Sequence, residues 1–287
     1  MLEARIGILG GTGLYQMEGL QNAEEIFPDT PFGKPSDAIL TGTLDGVGVA
    51  FLPRHGRGHR ISPSEIPARA NIYALKSLGV QRIISVSAVG SLREEIRPLD
   101  MVVPDQIIDR TRGRVGTFFG DGIVAHVGFA EPFCPYMTEV LHHGAERMGA
   151  RVHPRGTYVV IEGPQFSTIA ESHLYRSWGA DVIGMTALPE AKLAREAEIC
   201  YSILACSTDY DCWHESEVPV TVEMVVANLN KNAALSKAIL GDVIPRVSEE
   251  RSCPCGSALE NTIITAREVI PPEARERLAL LVGRYLQ

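Results

Sequence analysis

Short apolar runs rich in isoleucine and valine recur along the chain, at Arg5 to Leu9, Val47 to Leu52, Arg82 to Val86, Met101 to Val103, Tyr158 to Ile161, Asp181 to Met185 and Tyr201 to Cys206. Runs this short, with little polar alternation, predict strands of a largely buried central sheet. Between several of them the apolar spacing becomes helical, over Ile66 to Leu78, Pro135 to Met148, Ser172 to Trp178 and Pro189 to Glu198. The alternation predicts an α/β sandwich with helices on both faces of the sheet. Further on, Thr221 can cap a helix in which Val222, Val225, Val226 and Leu229 form one buried apolar stripe, continued by Leu235 and Ile239. From Ser248 to Ser257 the composition turns polar, and Pro271-Pro272 then opens a last amphipathic helix through Leu278, Leu281 and Leu286. The expected organisation is a main unit over 1–247, with 248–287 a C-terminal extension of the same domain.

Composition narrows the function. A chain of 287 residues with 45% apolar content can bury a substantial core. A formal charge of −8 with scattered Lys and Arg leaves no basic face for nucleic acid. No apolar run reaches the ~20 residues of a membrane span, and Met1 to Arg5 leads into a strand-like segment instead of a signal peptide, so the expectation is a cytoplasmic protein. The six cysteines do not make a disulfide scaffold in a chain this long. Cys253-Pro254-Cys255 could close a small ring or bind a soft metal, but the sequence shows no second pair nearby, and the reading ranked first is inert surface thiols with no metal.

Several segments at strand ends carry candidate chemistry. Gly10-Gly11-Thr12-Gly13 follows the first strand, where backbone N–H groups and the Thr12 hydroxyl can turn toward an anion. It continues with Leu14, Tyr15 and Gln16, so it completes neither a dinucleotide fingerprint nor a P-loop. Pro53 to His59 places four potentially cationic side chains within six residues, and Arg54 and His55 stand closest to the strand end. Arg57, His59 and Arg60 read as a solvated loop. Ser87-Ala88-Val89-Gly90-Ser91 offers small residues that let a ligand approach, although such a turn also serves packing. Phe166 can face a base and Met185 a sugar, with Ser167 and Thr186 supplying hydroxyls, and core packing is the alternative for both apolar side chains. Thr208-Asp209-Tyr210-Asp211-Cys212-Trp213 sets two carboxylates two residues apart after a buried strand. If the extended geometry persists, both point into one cleft, where two crowded acids tend to share a proton. A solvated turn is the alternative reading.

Taken together, Gly10 to Gly13, Asp29 to Ser36, Arg54-His55-Gly56, Gly90 to Glu95, Ala130 to Pro135, Glu162-Gly163-Pro164 and Thr208 to Trp213 resemble the 5′-methylthioadenosine phosphorylase family, of the trimeric purine nucleoside phosphorylase class. The resemblance runs from about Arg5 to Val243 and fades beyond Val247, where the Cys-x-Cys is similar to some prokaryotic members. It implies a nucleoside phosphorylase-like three-layer sandwich with a mixed central sheet. Its implied phosphate site comprises Thr12, Arg54, His55, Ser87, Ala88 and Thr186. It further implies Met185 against the ribose, Asp209 and Asp211 as catalytic groups on the purine, Ser167 and Val222 as specificity residues, Val225 in the methylthio pocket and His126 reaching in from a neighbouring subunit, beside Phe166, which the residues themselves place among the substrate-binding candidates. Gly184 departs from the family's frequent Asn.

The activity so implied is phosphorolysis of S-methyl-5′-thioadenosine in methionine and purine salvage, by a homotrimer or dimer of trimers that uses phosphate as co-substrate and no cofactor. Adenosine, or methylthioinosine and inosine, are the alternative substrates. A nicotinamide-dependent oxidoreductase lacks its glycine fingerprint, and a nucleoside sensor would not need a phosphate cage.

Overall fold

The computed structural model describes residues 4–11, 14, 17–214 and 222–287, apart from the side chains of Val222, Met224 and Val225. The strands are β1 (Ile6–Gly10), β2 (Gln21–Ile26), β3 (Ile39–Leu44), β4 (Val47–Pro53), β5 (Arg82–Ser91), β6 (Met101–Val102), β7 (Gln106–Arg110), β8 (Val152–His153), β9 (Thr157–Ile161), β10 (Val182–Gly184) and β11 (Cys200–Asp209). They form one mixed sheet in the order β2-β3-β4-β1-β5-β10-β9-β7, with β11, β6 and β8 branching from β5. All seven apolar runs are strands here. The additional strands lack their signal: β2 is almost wholly exposed, and β3 is broken by Thr41-Gly42-Thr43.

β5 positions the site because its neighbours change along its length. Arg82 to Ser85 pair with β1, whereas Gly90 and Ser91 pair with β10. On the other side β11 follows β5 from Arg82 to Gly90 in parallel. Among the described residues the β5 edge between Ser85 and Gly90 therefore has no ladder partner on the β1 side, and the sheet opens there. A gap of this kind beyond the carboxyl ends of parallel strands is where α/β sheets take ligands.

Two cores cover the sheet. On one face α1 (Ala68–Ser77) and α4 (Ala187–Glu196) bring Ile72, Leu75, Ala191 and Ala194 onto Ile83, Ile203 and Ala205. On the other, α2 (Pro135–Arg147) and α5 (Val222–Val243) bring Met137, Leu141, Ile239 and Leu240 onto Ile8, Ile84 and Leu204. α3 (Ile169–Ser177) packs Tyr175 on Val159 and Ile183 in a smaller cluster. The C-terminal segment also contributes to both cores, through Leu259, Leu278 and Leu281 to the first and Cys255 to the second.

Two expectations are corrected. The terminal helix is interrupted, with α6 (Pro272–Arg277) and α7 (Ala279–Val282) separated at Leu278, which is buried in the core at a break in the helical path. The stripe assigned to the start of α5 is not uniformly buried, since Val226 is 48% exposed, while Thr221 lies outside the described residues.

Candidate active site

Arg54 leaves the end of β4 and turns inward under the gap in the sheet. Its backbone N–H donates to the Gly10 carbonyl (3.0 Å), which fixes β4 against the end of β1. The guanidinium is buried, and Nε donates to one carboxylate oxygen of Glu190 while Nη2 donates to the other at 3.1 Å. Nη2 also donates to Ser85 Oγ (2.7 Å), and Nη1 donates to the Val86 carbonyl at 3.2 Å. One Nη1 proton is left without a partner among the described residues. Glu190, itself buried, accepts from the Tyr201 hydroxyl as well (2.8 Å). The cation is thus held from behind by a bidentate acid, which a phenol braces in turn.

His55 lies beside it. A carbonyl only accepts, so the 2.8 Å contact of Nδ1 with the Ile61 carbonyl puts the ring proton on Nδ1. Burial, with the Arg54 charge adding to it, lowers the His55 pKa to about 4, which leaves the ring neutral and Nε2 an acceptor at neutral pH. His59 stacks on this ring at 4.2 Å. Arg57 and Arg60 face Asp37, and Arg57 also faces Glu25, so these two arginines brace the loop.

Ser87 and Thr186 meet across the gap, with their hydroxyls 2.9 Å apart, and the adjoining Ala88 is exposed. Next to Thr186, Gly184 is required by its neighbour: a Cβ there would stand 2.1 Å from the Tyr158 hydroxyl. Tyr158 is wholly buried, and its hydroxyl occupies the space that a longer side chain at 184 would need. This accounts for the glycine where the family often has Asn. Gly163 is a second such position, with φ +66° and the Met185 thioether 2.4 Å from where a Cβ would sit. Arg114 fixes this segment, donating to the carbonyls of Met185 (2.6 Å) and Leu188 (2.7 Å) and to Glu162.

The two carboxylates stand at the end of β11. The ladder with β5 slips between Ser207 and Asp209, a bulge that re-aims Asp209. Its Oδ2 accepts from the Thr208 hydroxyl (2.6 Å) and its Oδ1 from the Asp211 backbone N–H (2.9 Å). Asp211 is not in extended backbone: its φ is +53° and it opens a short 3-10 turn, so strand alternation does not bring the pair together, and the bulge and turn do. Ser167 donates to the Asp211 carboxylate, 3.0 and 2.9 Å from its two oxygens. Trp213 Nε1 donates to the Ser91 carbonyl (2.7 Å), and the Arg176 guanidinium lies 3.4 Å over the Trp213 ring, which together pin the turn. Burial raises the pKa of both Asp209 and Asp211, and the charge of Asp211 adds to the rise at Asp209.

Phe166 is 60% exposed at the mouth, beside Ser167. His126 is exposed, with its backbone N–H donating to the Thr262 carbonyl at 3.0 Å. Thr12 and the side chains of Val222 and Val225 lie outside the described residues. Glu190, Arg114 and Tyr158 were not among the sequence candidates. Glu190 had a signal, an acid between alanines and leucines on a helix face that must be buried, in Ala187-Leu188-Pro189-Glu190-Ala191.

Comparison with known proteins gives the same direction. A model of the phosphorylase superfamily matches residues 5–245. The chain is 57% identical to the S-methyl-5′-thioadenosine phosphorylase of Geobacter sulfurreducens, covering 99% of this chain and 100% of that one. Identity to the enzyme of the same name from Koribacter versatilis is 56%, over 99% and 97%. The crystal structure of a methylthioadenosine phosphorylase from an antarctic soil metagenomic library is similar at a TM-score of 0.94 and 52% identity, over 98% of this chain and 99% of that one. The methylthioadenosine phosphorylase of Schistosoma mansoni, in complex with adenine, is similar at 0.82 and 37%, over 86% and 93%.

Proposed function

The chain belongs to the phosphorylase superfamily, among its S-methyl-5′-thioadenosine phosphorylases, and we infer that it catalyses attack of inorganic phosphate on C1′ of S-methyl-5′-thioadenosine. The products are adenine and 5-methylthioribose 1-phosphate, placing the enzyme in methionine and purine salvage. The observation that carries this reading is the opposition of two groups along one strand. Ser87, with Arg54 and Thr186 around it, stands at one end of the open edge of β5, and Gly90, against Asp209, stands at the other. Three residues of strand span about 10 Å, enough to set an anion at one end and a purine at the other with the sugar over Ala88.

Phosphate sits at the first end. The Nη1 proton of Arg54 without a partner among the described residues, the hydroxyls of Ser87 and Thr186, the Thr12 loop and the amide at Ala88 donate to its oxygens, and the neutral His55 accepts a hydrogen bond from the P–OH of hydrogen phosphate at Nε2. As the glycosidic bond stretches, positive charge grows on the sugar and is met by the phosphate. Negative charge grows on the purine and is met by a carboxylic acid of the Asp209/Asp211 pair, which hydrogen bonds to or protonates N7. Met185 lies against the ribose, Phe166 on the base, and Ser167, already donating to Asp211, tunes base choice. Val222 and Val225 complete the 5′ pocket. An acceptor at Asp209 suits the exocyclic amine of a 6-aminopurine, so the 6-oxo nucleosides are poorer substrates. No cofactor or metal takes part in the reaction. The test is whether adenine release depends on phosphate.

The working unit is a homotrimer, alone or paired into a dimer of trimers, in the cytoplasm, with small-molecule nucleoside and phosphate as its partners. The exposed His126 reaches the neighbour's 5′ group. Rotational assembly through unlike surfaces permits such sharing. Sedimentation at assay concentration should give a multiple of three chains, and a fully active monomer would refute it.

A further inference from the structure

Away from this cleft, four of the six cysteines converge. Cys134 precedes α2, Cys200 begins β11, and Cys253 and Cys255 flank Pro254 in the C-terminal segment. Their sulfurs all lie within 4.8 Å of one another, and Cys200 and Cys253 are 3.2 Å apart. Cys134, Cys200 and Cys255 are buried. The surface-thiol reading of Cys253 and Cys255 is therefore corrected: the missing second pair is supplied by residues about 50 and 120 positions earlier.

We propose that Cys134, Cys200, Cys253 and Cys255 form a tetrathiolate site for one zinc ion, which ties the C-terminal segment to the junction of α2 and β11. A tetrahedral ion with Zn–S bonds of about 2.3 Å sets its sulfurs about 3.8 Å apart, so the cluster reaches that geometry with shifts of about an ångström or less. A disulfide needs about 2.05 Å and links sulfurs only in pairs, whereas here all four are mutual neighbours. Binding replaces the four thiol protons, which leave to solvent, and the complex carries a charge of about −2. Positive charge is at hand: Arg195 acts on Cys255 and Arg251 on Cys200, and Arg251 Nε is buried without a partner among the described residues.

The site is structural, closed by four protein ligands and separate from phosphorolysis. It does touch the active site indirectly. The Cys134 backbone N–H donates to the Tyr201 carbonyl (2.8 Å), and the Tyr201 hydroxyl braces Glu190 behind Arg54.

The experiment measures metal and thiols on the full chain produced with excess zinc. About one zinc per chain is expected, with all six thiols titrating after denaturation in chelator. Cys253→Ser with Cys255→Ser should lower zinc at least tenfold and lower Tm while leaving kcat/KM of the folded fraction unchanged. If that variant does not accumulate, cobalt substitution of the wild type decides, with the intense visible absorption of tetrahedral cobalt thiolate expected. A zinc-free wild type that shows no such band, or one in which only two thiols titrate because the cluster has closed into two disulfides, would overturn the proposal.

Discussion

Glu190 grips the guanidinium of Arg54 from the side opposite the cleft, with both carboxylate oxygens engaged and both residues buried. Among the described residues the clamp leaves Arg54 one Nη1 proton without a partner, so its direction depends on Glu190. Removing one partner of such a pair costs about 3–5 kcal/mol, and Glu190→Gln, which keeps an acceptor, should cost less than Glu190→Ala. In Glu190→Gln the KM for phosphate should rise at least tenfold while the KM for the nucleoside stays within about twofold, as for loss of one charge-assisted contact. Equal changes in both constants would make Glu190 scaffold only.

His55 predicts a pH dependence of stability. Its folded pKa of about 4 lies below the usual 6.5, so between these values the unfolded chain binds more protons than the native one. The contribution is fully present above pH 6.5 and is lost as pH falls through about 4. His55→Gln cannot titrate, so the stability difference between wild type and variant should shrink from pH 7 to pH 5 in urea unfolding. A difference that is constant across that range would contradict the assignment.

Asp209→Asn tests base choice. The amide must turn its oxygen to the Asp211 N–H and its nitrogen toward Thr208, which presents a donor where the carboxylate had none. Preference for methylthioadenosine over its 6-oxo counterpart, as a ratio of kcat/KM, should fall by at least about tenfold, the value of one mispaired buried polar group. An unchanged ratio would shift base recognition to Asp211 and Ser167.

What the sequence revealed follows from what leaves a local mark. Buried strands such as β1 and β11 are continuous apolar runs and were legible, whereas β2 faces solvent and has no pattern to read. The strand-end location of Arg54 and Asp209 was legible for the same reason, whereas Ser87 to Ser91, expected as a turn beyond a strand, continue β5 itself, because pairing with β11 and β10 extends the strand past its apolar run. The conformation of Asp211 was not, because a left-handed φ at a non-glycine residue is set by the surrounding contacts rather than by local preference. The reason for Gly184 where the family often has Asn is not local either, since it is the Tyr158 hydroxyl, 26 positions earlier, that fills the space of its missing Cβ. The cysteine cluster was invisible for a related reason, since its two halves meet only through the fold.

The central claim is that phosphate is the nucleophile, and the most direct measurement is adenine release from S-methyl-5′-thioadenosine in phosphate-free buffer and across a phosphate titration. The account predicts release that saturates with phosphate, is negligible without it, and yields 5-methylthioribose 1-phosphate in equal amount. Adenine released at the same rate without phosphate, together with free 5-methylthioribose, would make the enzyme a hydrolase and contradict the account.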